Sequence, residues 1–217
     1  MKLIKKYLST MIAASVVILI PMVVGLLLWN RLPEQITTHW GIGSTPDGWA
    51  GKEIVVFGMP ALLLAAQWLG VLLTSLDPKV KNADGKPMKL VLWLIPAISL
   101  VICGVIYGYA LGLNFNMDNV ALLLVGALFV IIGNYLPKCK QSYTLGIKLP
   151  WTLHSEANWN ATHRVGGKVW MLGGLLLTQC VFLPKNLLGV AILVIMPALV
   201  LVPVVYSFVY DKRHNQK

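Results

Sequence analysis

Residues 137–168 have the sequence PKCKQSYTLGIKLPWTLHSEANWNATHRVGGK, which is the longest stretch of the chain that must meet water. The segments on both sides of it are apolar enough to lie in lipid. Of the 217 residues, 57% are hydrophobic and only 12% are charged, whereas a soluble domain carries about 25% charged residues. This composition predicts an integral membrane protein in which the polar segment is the main exception to an apolar pattern.

Six apolar runs flank and precede this segment, and they predict an all-α integral membrane protein with six transmembrane helices. The runs cover residues 7–29, 54–76, 90–113, 119–136, 169–183 and 186–210. The first run is longer than the apolar core of a signal peptide, so we expect it to be retained. The fifth run is short for a core of about 30 Å, and it can span if Lys168 and Lys185 extend toward the headgroups.

The basic residues predict how these helices are oriented. With the N-terminus inside the cell, 15 of the 18 Lys and Arg residues lie on the inner side, and only Arg31, Lys52 and Lys185 lie outside. Because Lys and Arg prefer the cytoplasmic side, both termini and residues 137–168 are predicted to be cytoplasmic and residues 31–53 extracellular. Topology explains the positive net charge, so we expect no direct nucleic-acid partner.

The chain is predicted to divide between its second and third helices. Residues 1–76 form an N-terminal two-helix unit with the extracellular loop 31–53. Residues 77–217 form a four-helix unit that carries the cytoplasmic segment 137–168.

The extracellular loop contains the first candidate site. Residues 36–40 favour a short extended piece, and Pro46-Asp47-Gly48 favours a turn, because proline presets φ and glycine accepts a positive φ. His39 has Glu34 and Asp47 nearby in sequence, so a metal or pH-sensing site is conceivable. The spacing matches no metal-ligand motif, and we therefore predict no metal.

The third helix carries Gly104, Gly108 and Gly112 at intervals of four residues. Glycines at this spacing share one helix face and let another backbone approach closely. They predict helix packing, either within the six-helix bundle, which we favour, or in a homodimer.

Catalytic and transport signals are sparse. All eight acidic residues fall in loops or at helix ends, which argues against an ion-coupled transporter, because intramembrane charges mark transport paths. On one helix His154 and His163 would lie on opposite faces and could not share a metal. His163 with Glu156 is the best pair for a membrane enzyme, but no catalytic motif supports it. We predict no enzyme, no catalytic residue and no cofactor.

The tryptophans of the polar segment suit the membrane surface. Trp151, Trp159 and Trp170, flanked by lysines and Arg164, are typical of a belt at headgroup level. The segment is then either a loop held on the lipid bilayer or a docking surface for a partner.

Two sets of residues also carry a family resemblance. The inner set is Gly133-Asn134-Tyr135-Leu136-Pro137-Lys138, Tyr143-Thr144-Leu145-Gly146-Ile147-Lys148, Pro150-Trp151-Thr152-Leu153, Trp159 and Thr162-His163-Arg164. It resembles the signature of the SdpI family, bacterial immunity proteins against the Sdp cannibalism toxin. The outer set is Leu32-Pro33, Ile36, His39-Trp40, Gly43 and Pro46-Asp47-Gly48. It is similar to the domain of unknown function at the N-terminus of the same proteins. One departure is Leu149, where the family usually has Thr or a similar residue.

The resemblance implies a multi-pass protein of the bacterial cell membrane that protects its own cell from a secreted, membrane-active peptide toxin. It also implies a second role as a toxin receptor that holds a cytosolic transcriptional repressor at the membrane. We expect toxin contact at His39, Trp40, Asp47 and Trp49. We expect the cytoplasmic partner surface at Gly146, Pro150, Trp151, Thr152, Trp159, His163 and Arg164. The alternative function is a small transporter or exporter of an amphiphilic peptide.

Overall fold

The structure is a computed structural model that describes residues 2–41, 43–83 and 85–214. In this part of the chain seven α-helices are present, and they are α1 Lys2–Leu27, α2 Met59–Ser75, α3 Lys86–Ala110, α4 Met117–Tyr135, α5 Pro150–His154, α6 Glu156–Gln179 and α7 Lys185–His214. A π-helical turn, Ile54–Gly58, leads into α2. All of these helices except the short α5 are long and apolar enough to cross a membrane. The predicted all-α membrane protein with six spans is therefore confirmed.

The helices pack into two units, and each unit is built from separate stretches of the chain. Unit 1 comprises Met1–Ser75 and Met88–Asp118, and unit 2 comprises Leu76–Pro87 and Asn119–Lys217. Most of α3 therefore packs with α1 and α2, whereas the division predicted from the sequence groups it with the second half of the chain.

Unit 1 is held together by an apolar cluster and by hydroxyl groups that join its helices. The buried members of the cluster are Leu32, Ile36, Val55, Val56, Cys103, Ile106 and Tyr107. On α3, the Ser99 hydroxyl donates to the carbonyl oxygen of Ile18 at 3.1 Å and the Tyr107 hydroxyl donates to that of Pro21 at 3.1 Å. In an apolar surrounding such bonds satisfy polar groups that would otherwise be costly to bury.

The loop after α1 is an antiparallel hairpin of β1, Gln35–Gly41, and β2, Thr45–Gly51. The expected extended piece at residues 36–40 is therefore confirmed. The turn expected at Pro46-Asp47-Gly48 is wrong, because these residues lie within β2. The chain reverses just before them, near Gly43. A proline is tolerated in β2 because both strands of a two-stranded ribbon are edge strands.

Two neighbouring residues take positive φ at this reversal. The φ of Gly43 is 79° and that of Ser44 is 62°. Glycine adopts this conformation freely, whereas serine needs support. The Ser44 hydroxyl supplies it by accepting the Asp118 N–H at 3.1 Å and bonding to Asn116 Oδ1 at 3.3 Å. The turn therefore forms at Gly43 and Ser44, where hydrogen bonds to residues more than 70 positions away stabilise it, and not at residues 46–48, where local turn propensity is high.

The fifth span begins much earlier than its hydropathy suggests. Helix α6 starts at Glu156, and the hydroxyl of Ser155 caps it by accepting the N–H of Asn158 at 3.2 Å. Its 24 residues make a helix of about 36 Å, which exceeds the hydrocarbon core without help from terminal lysines. The polar segment is thus not a loop throughout. Its second half, residues 156–168, is the first part of α6.

Close backbone contacts occur in unit 2, at glycines other than those predicted. A Cβ added to Gly126 would lie 2.7 Å from the carbonyl oxygen of Gly174, and one added to Gly133 would lie 2.9 Å from that of Gly167. The reciprocal distances are 2.6 Å and 2.7 Å. Since the glycines on each helix are seven residues apart, two helical turns separate the contacts. Helices α4 and α6 therefore run antiparallel with their backbones touching twice.

The predicted glycine series on α3 behaves differently. A Cβ at Gly104 would meet nothing within 4 Å, and one at Gly108 would meet the Phe115 ring at 2.9 Å. Gly112 lies beyond the end of α3 and has a φ of 92°. The interpretation of all three as one intramolecular packing face is wrong, since no neighbouring backbone approaches them. The homodimer alternative stays a prediction.

Candidate functional site

The irregular part of the polar segment, residues 139–149, is called the polar loop below, and it is bound to a buried carboxylate. Asp77, in the connection between α2 and α3, is 5% exposed. Its Oδ2 accepts four hydrogen bonds and its Oδ1 accepts one. The donors are Ser142 Oγ at 2.6 Å, Tyr143 N at 2.9 Å, Thr144 N at 3.1 Å, Thr144 Oγ1 at 2.9 Å and Lys79 N at 2.7 Å. This one carboxylate therefore holds the polar loop against the α2–α3 connection.

The environment of Asp77 favours its charged form. Burial raises the pKa of the carboxyl group, but the hydrogen bonds from Ser142, Lys79, Thr144 and Tyr143 lower it further than burial raises it. The net pKa lies below the ordinary value of 3.8. At neutral pH the group is a carboxylate, which accepts all five bonds without a proton of its own.

A second side chain extends the same network to α5. The Nε2 of Gln141 donates to the carbonyl oxygens of Thr152 and Leu153, both at 2.8 Å. Its Oε1 accepts a hydrogen bond from the Nζ of Lys79. Because Gln141 is buried, these bonds satisfy both ends of its amide. The α2–α3 connection, the polar loop and α5 are thereby joined through one residue.

Three of the predicted motif residues meet at the centre of the polar loop. Trp159 and His163, one turn apart on α6, are fully buried and stack with ring centroids 4.0 Å apart. Gly146 lies against them with a φ of 114°, and a Cβ there would be 2.5 Å from His163 Nε2 and 2.7 Å from the Trp159 ring. The indole N–H donates to the carbonyl oxygen of Cys139 at 2.8 Å. Only glycine fits between the loop and this stack.

His163 is a structural group in this arrangement. The Ile147 N–H donates to its Nε2 at 2.9 Å, and its Nδ1 lies 2.8 Å from the Trp159 carbonyl oxygen, which can only accept. The ring is therefore neutral, with its proton on Nδ1. Both nitrogens are occupied by main-chain groups, so His163 has no free position with which to act as a base beside Glu156.

The other histidine and the other possible metal ligands also remain apart. His154 lies on the separate short helix α5, where its Nδ1 bonds to the carbonyl oxygen of Pro150 at 2.6 Å. Within residues 2–41, 43–83 and 85–214, no three His, Cys, Asp or Glu residues lie close enough together to hold a metal ion.

Buried polar groups also tie the start of α6 to α7. The Ser207 hydroxyl accepts the Trp151 indole N–H at 2.8 Å, and its carbonyl oxygen accepts Asn158 Nδ2 at 3.0 Å. Asn158 in turn accepts the Thr162 hydroxyl at 2.9 Å. The Trp151 ring packs edge-on against Phe208, with centroids 5.5 Å apart. Trp151 therefore links α5 to α7.

The predicted partner surface is consequently divided between interior and exterior. Thr152, Trp159 and His163 are buried, so they shape the polar loop and do not touch a partner directly. The prediction of Trp159 as a headgroup-belt residue is wrong for the same reason. Pro150 and Arg164 are exposed, whereas Gly146 and Trp151 are half-buried. Thr152 caps α5, since its hydroxyl accepts the Leu149 N–H at 2.9 Å.

Arg164 lines a cavity of about 440 Å³ in unit 2. The cavity lies among the end of α4, the middle of α6 and the last third of α7. The lining residues that matter below are Asn134, Pro137, Arg164, Lys168, Met171 and Tyr206.

The residues predicted to contact a toxin are all on the hairpin, but they do not face one way. His39 Nδ1 and Asp47 Oδ1 lie 2.5 Å apart, and their side chains are 73% and 50% exposed. Trp49 is also exposed, at 57%. Trp40 instead packs edge-on against Tyr109 at 5.2 Å and joins the apolar cluster of unit 1. Three of the four residues are therefore available to a ligand, and the fourth holds the hairpin down.

Sequence reasoning missed the residues that organise the polar loop. Asp77 and Gln141 lie in stretches that looked like ordinary loops, and Ser207 lies in an apolar run. One signal was present: Asp77 stands immediately after an apolar run, where a lone acid that is drawn inward needs donors. The sequence does not show that four of the five donors come from Ser142, Tyr143 and Thr144, more than 60 residues away.

Comparisons with known proteins agree with this architecture. Residues 138–210 match the model of the SdpI/YfhL protein family, and residues 16–64 match a domain of unknown function, DUF1648. The chain is similar to the immunity protein SdpI of Bacillus subtilis (strain 168), with 25% identity over 210 residues, or 95% of this chain and 96% of that protein. No solved structure matches the chain. The resemblance inferred from the sequence is therefore confirmed, and the matched segments contain both the hairpin and the polar loop.

Proposed function

We propose that the chain is an immunity protein of the bacterial cell membrane, because residues 138–210 match the model of the SdpI/YfhL protein family. It protects the cell that makes it from a secreted, membrane-active peptide toxin. The observation that carries this proposal is the similarity to an immunity protein over 95% of the chain, together with six helices that can span a membrane. A similarity of this extent includes both the spanning helices and the two polar regions.

The orientation belongs to the same proposal. Lys and Arg residues are concentrated in the termini, the α2–α3 connection and the polar loop, which supports a cytoplasmic location of these segments. The hairpin then faces the outside, from which a secreted peptide arrives. Its exposed Trp49 offers a large amphipathic ring, and the His39–Asp47 pair offers polar contacts.

The direct test is survival. The chain is expressed in a toxin-sensitive bacterium, and growth is measured with the Sdp peptide and with several unrelated membrane-active peptides. Selective survival with the Sdp peptide supports immunity. Equal sensitivity, with the protein shown to be in the membrane, overturns this assignment.

The contact surface is tested with a pair of tryptophan variants. Trp49→Ala removes the exposed hairpin ring and should reduce protection, while the protein level stays the same. Trp93→Ala is the matched control, because Trp93 is a similarly exposed tryptophan on the spanning helix α3 and should not affect protection. Equal protection by both variants would show that the toxin does not bind through Trp49.

Repressor capture is the finer part of the proposal. In the proposed orientation, the exposed residues of the predicted partner surface include Pro150, and Tyr143 and Lys148 of the polar loop are also exposed. A toxin-dependent shift in helix packing would reach this surface through the hydrogen bonds of Ser207 with Trp151 and Asn158, which link α7 to α5 and α6. Co-purification of a cytosolic repressor with the membrane protein, with and without toxin, tests it. Capture that does not depend on toxin would contradict the receptor role.

A further inference from the structure

The cavity in unit 2 has a size and position that suit a small ligand. Its volume of about 440 Å³ lies within the range of pockets that hold small molecules. Of the residues that line it, Asn134, Pro137, Arg164 and Lys168 are exposed, so the cavity opens on the protein surface. It lies beside the last turn of α4, where the apolar run ends and the basic polar loop begins.

Two glycines help to keep this space open. Gly133 and Gly167 both line the cavity, and they form one of the two close backbone contacts between α4 and α6. Helices that touch at glycine have no side chains there to fill the groove beside the contact. The same contact that packs the two helices therefore leaves a recess at their surface.

One end of the recess is cationic. Arg164 and Lys168 are four residues apart on α6, so they lie on the same helix face. Among the described residues neither makes an ion pair. Like charges at this spacing repel each other, and an anion between them would remove the repulsion. The Asn134 amide and the Tyr206 hydroxyl add neutral donors to the same lining.

The other end of the recess is apolar. Met171 lies seven residues beyond Arg164 on α6, or about 10 Å along the helix axis, and its apolar side chain lines the cavity there. Pro137 lies beside Gly167, level with the two basic residues. Cationic and apolar groups thus follow one another in the direction in which α6 enters its lipid-facing part. A free phosphate ion would leave the apolar side unused, whereas a phospholipid has a phosphate and hydrocarbon at this spacing.

We infer that this cavity binds an anionic phospholipid, with the headgroup phosphate between Arg164 and Lys168. The glycerol lies beside Pro137, and the upper acyl chain lies against Met171. A guanidinium group binds phosphate oxygens in pairs, and basic pockets between spanning helices on the cytoplasmic side hold anionic headgroups. This assigns Arg164 to lipid rather than to a protein partner. The site does not depend on the proposed immunity function.

The test uses the purified full-length chain in a neutral detergent. Dioleoylphosphatidylglycerol, dioleoylphosphatidylcholine or sodium phosphate is added, and bound lipid is measured by native mass spectrometry beside the thermal unfolding midpoint. Phosphatidylglycerol should remain bound and raise the midpoint, and the other two should not. The double variant Arg164→Gln, Lys168→Gln should bind phosphatidylglycerol about tenfold more weakly or worse, because two charge-assisted contacts are lost.

The matched control removes the same charges outside the cavity. Lys140→Gln with Arg213→Gln changes an exposed lysine and an exposed arginine and should alter the affinity by less than about twofold, as expected for screened distant charges. If the two double variants lost the same amount of affinity for phosphatidylglycerol, the binding would be general electrostatic attraction, and the proposed site would be overturned. Stabilisation by sodium phosphate equal to that by the lipid would overturn the lipid as its ligand.

Two single variants keep the test decisive if the double variant does not fold. Arg164→Lys keeps the charge but loses the paired contacts, and Tyr206→Phe loses only a hydroxyl. Each should weaken phosphatidylglycerol binding severalfold while the unfolding midpoint in phosphatidylcholine stays unchanged. Unaltered lipid binding in both would overturn the proposal.

Discussion

The hairpin of unit 1 and the polar loop of unit 2 look alike in sequence but use their polar residues in opposite ways. On the hairpin, the His39–Asp47 pair is largely exposed. At the polar loop, the carboxylate of Asp77 from the α2–α3 connection is buried and accepts five hydrogen bonds. The polar side chains of the hairpin are therefore available to solvent or a ligand. Those at the polar loop form a buried hydrogen-bonded network in place of an apolar core.

This difference indicates where a substitution damages the fold and where it changes only a surface. An exposed ion pair contributes little to stability because water competes for both partners. A buried carboxylate that organises several donors contributes much more, since its loss leaves all of them unsatisfied. The two regions can therefore be compared by making the same change in each.

The largest effect is expected for the buried acid. Asp77→Ala should lower the free energy of unfolding by about 4 kcal/mol, the cost of leaving buried charge-assisted donors without their partner. Denaturant unfolding of the purified chain in mixed micelles, followed by far-ultraviolet circular dichroism, measures it.

Asp47→Ala on the hairpin is the matched control for this change. It removes the same carboxylate from an exposed pair, so it should cost less than about 1 kcal/mol. Similar losses in the two variants would contradict the contrast between the regions.

The second effect concerns two glycines with positive φ. Gly146 has a φ of 114° and touches the Trp159–His163 stack, whereas Gly43 has a φ of 79° and a Cβ there would meet nothing within 4 Å. Gly146→Ala should cost about 3 kcal/mol, because backbone strain adds to a steric clash. Gly43→Ala should cost about 1 kcal/mol from strain alone.

Tryptophan fluorescence provides an independent measurement of whether the polar loop packs against Trp159. The tryptophan fluorescence of Gly146→Ala should shift to the red as the loop separates from the stack, and that of Gly43→Ala should not. An unshifted spectrum in Gly146→Ala with full stability would mean that the loop is not packed there.

These contrasts also show what the sequence could predict. The six spans follow from hydropathy alone, because a run of about 20 apolar residues has few alternatives in lipid. The start of α6 does not follow from it. Hydropathy marks where lipid contact begins, near Val169, whereas the helix begins where Ser155 caps it. A helix can extend beyond its apolar part, and only the capping signal shows how far.

The glycine contacts were missed for a related reason. The regular series Gly104, Gly108, Gly112 was an obvious pattern, yet close packing needs a matching pair on a second helix. That match exists between α4 and α6, where glycines recur at the same interval of seven residues. Comparing intervals between helices, rather than within one, would have favoured the correct pair.

For the site residues, too, the sequence predicted part of the arrangement and missed the contacts between distant segments. Gly146, Trp159 and His163 are three of the seven residues predicted for the cytoplasmic partner surface, and the structure brings these three together. Their shared role as an interior stack was not predictable, because no local period shows that residues 146 and 163 touch. Asp77 lies 65 positions from Ser142, and no sequence signal short of the fold itself joins them.

A third, smaller effect is expected at acid pH. The folded-state pKa of Asp77 is lowered, so its contribution to stability is fully present above the unfolded value near 3.8. The contribution is lost as the pH falls through the lowered pKa in the folded state. Unfolding should therefore become easier below about pH 4. The variant Asp77→Asn should show a weaker dependence over the same range, and an identical pH profile would contradict this assignment.

The smallest effect is expected at the exposed His39–Asp47 pair of the hairpin. His39→Gln should change the free energy of unfolding by less than about 1 kcal/mol, because the pair is exposed and screened. Raising the salt concentration to about 1 M should remove even this difference, since the screening length there is about 3 Å. Mixed-micelle unfolding at low and high salt measures both values. A loss in His39→Gln as large as that in Asp77→Ala, and insensitive to salt, would show that the hairpin also depends on this pair for folding.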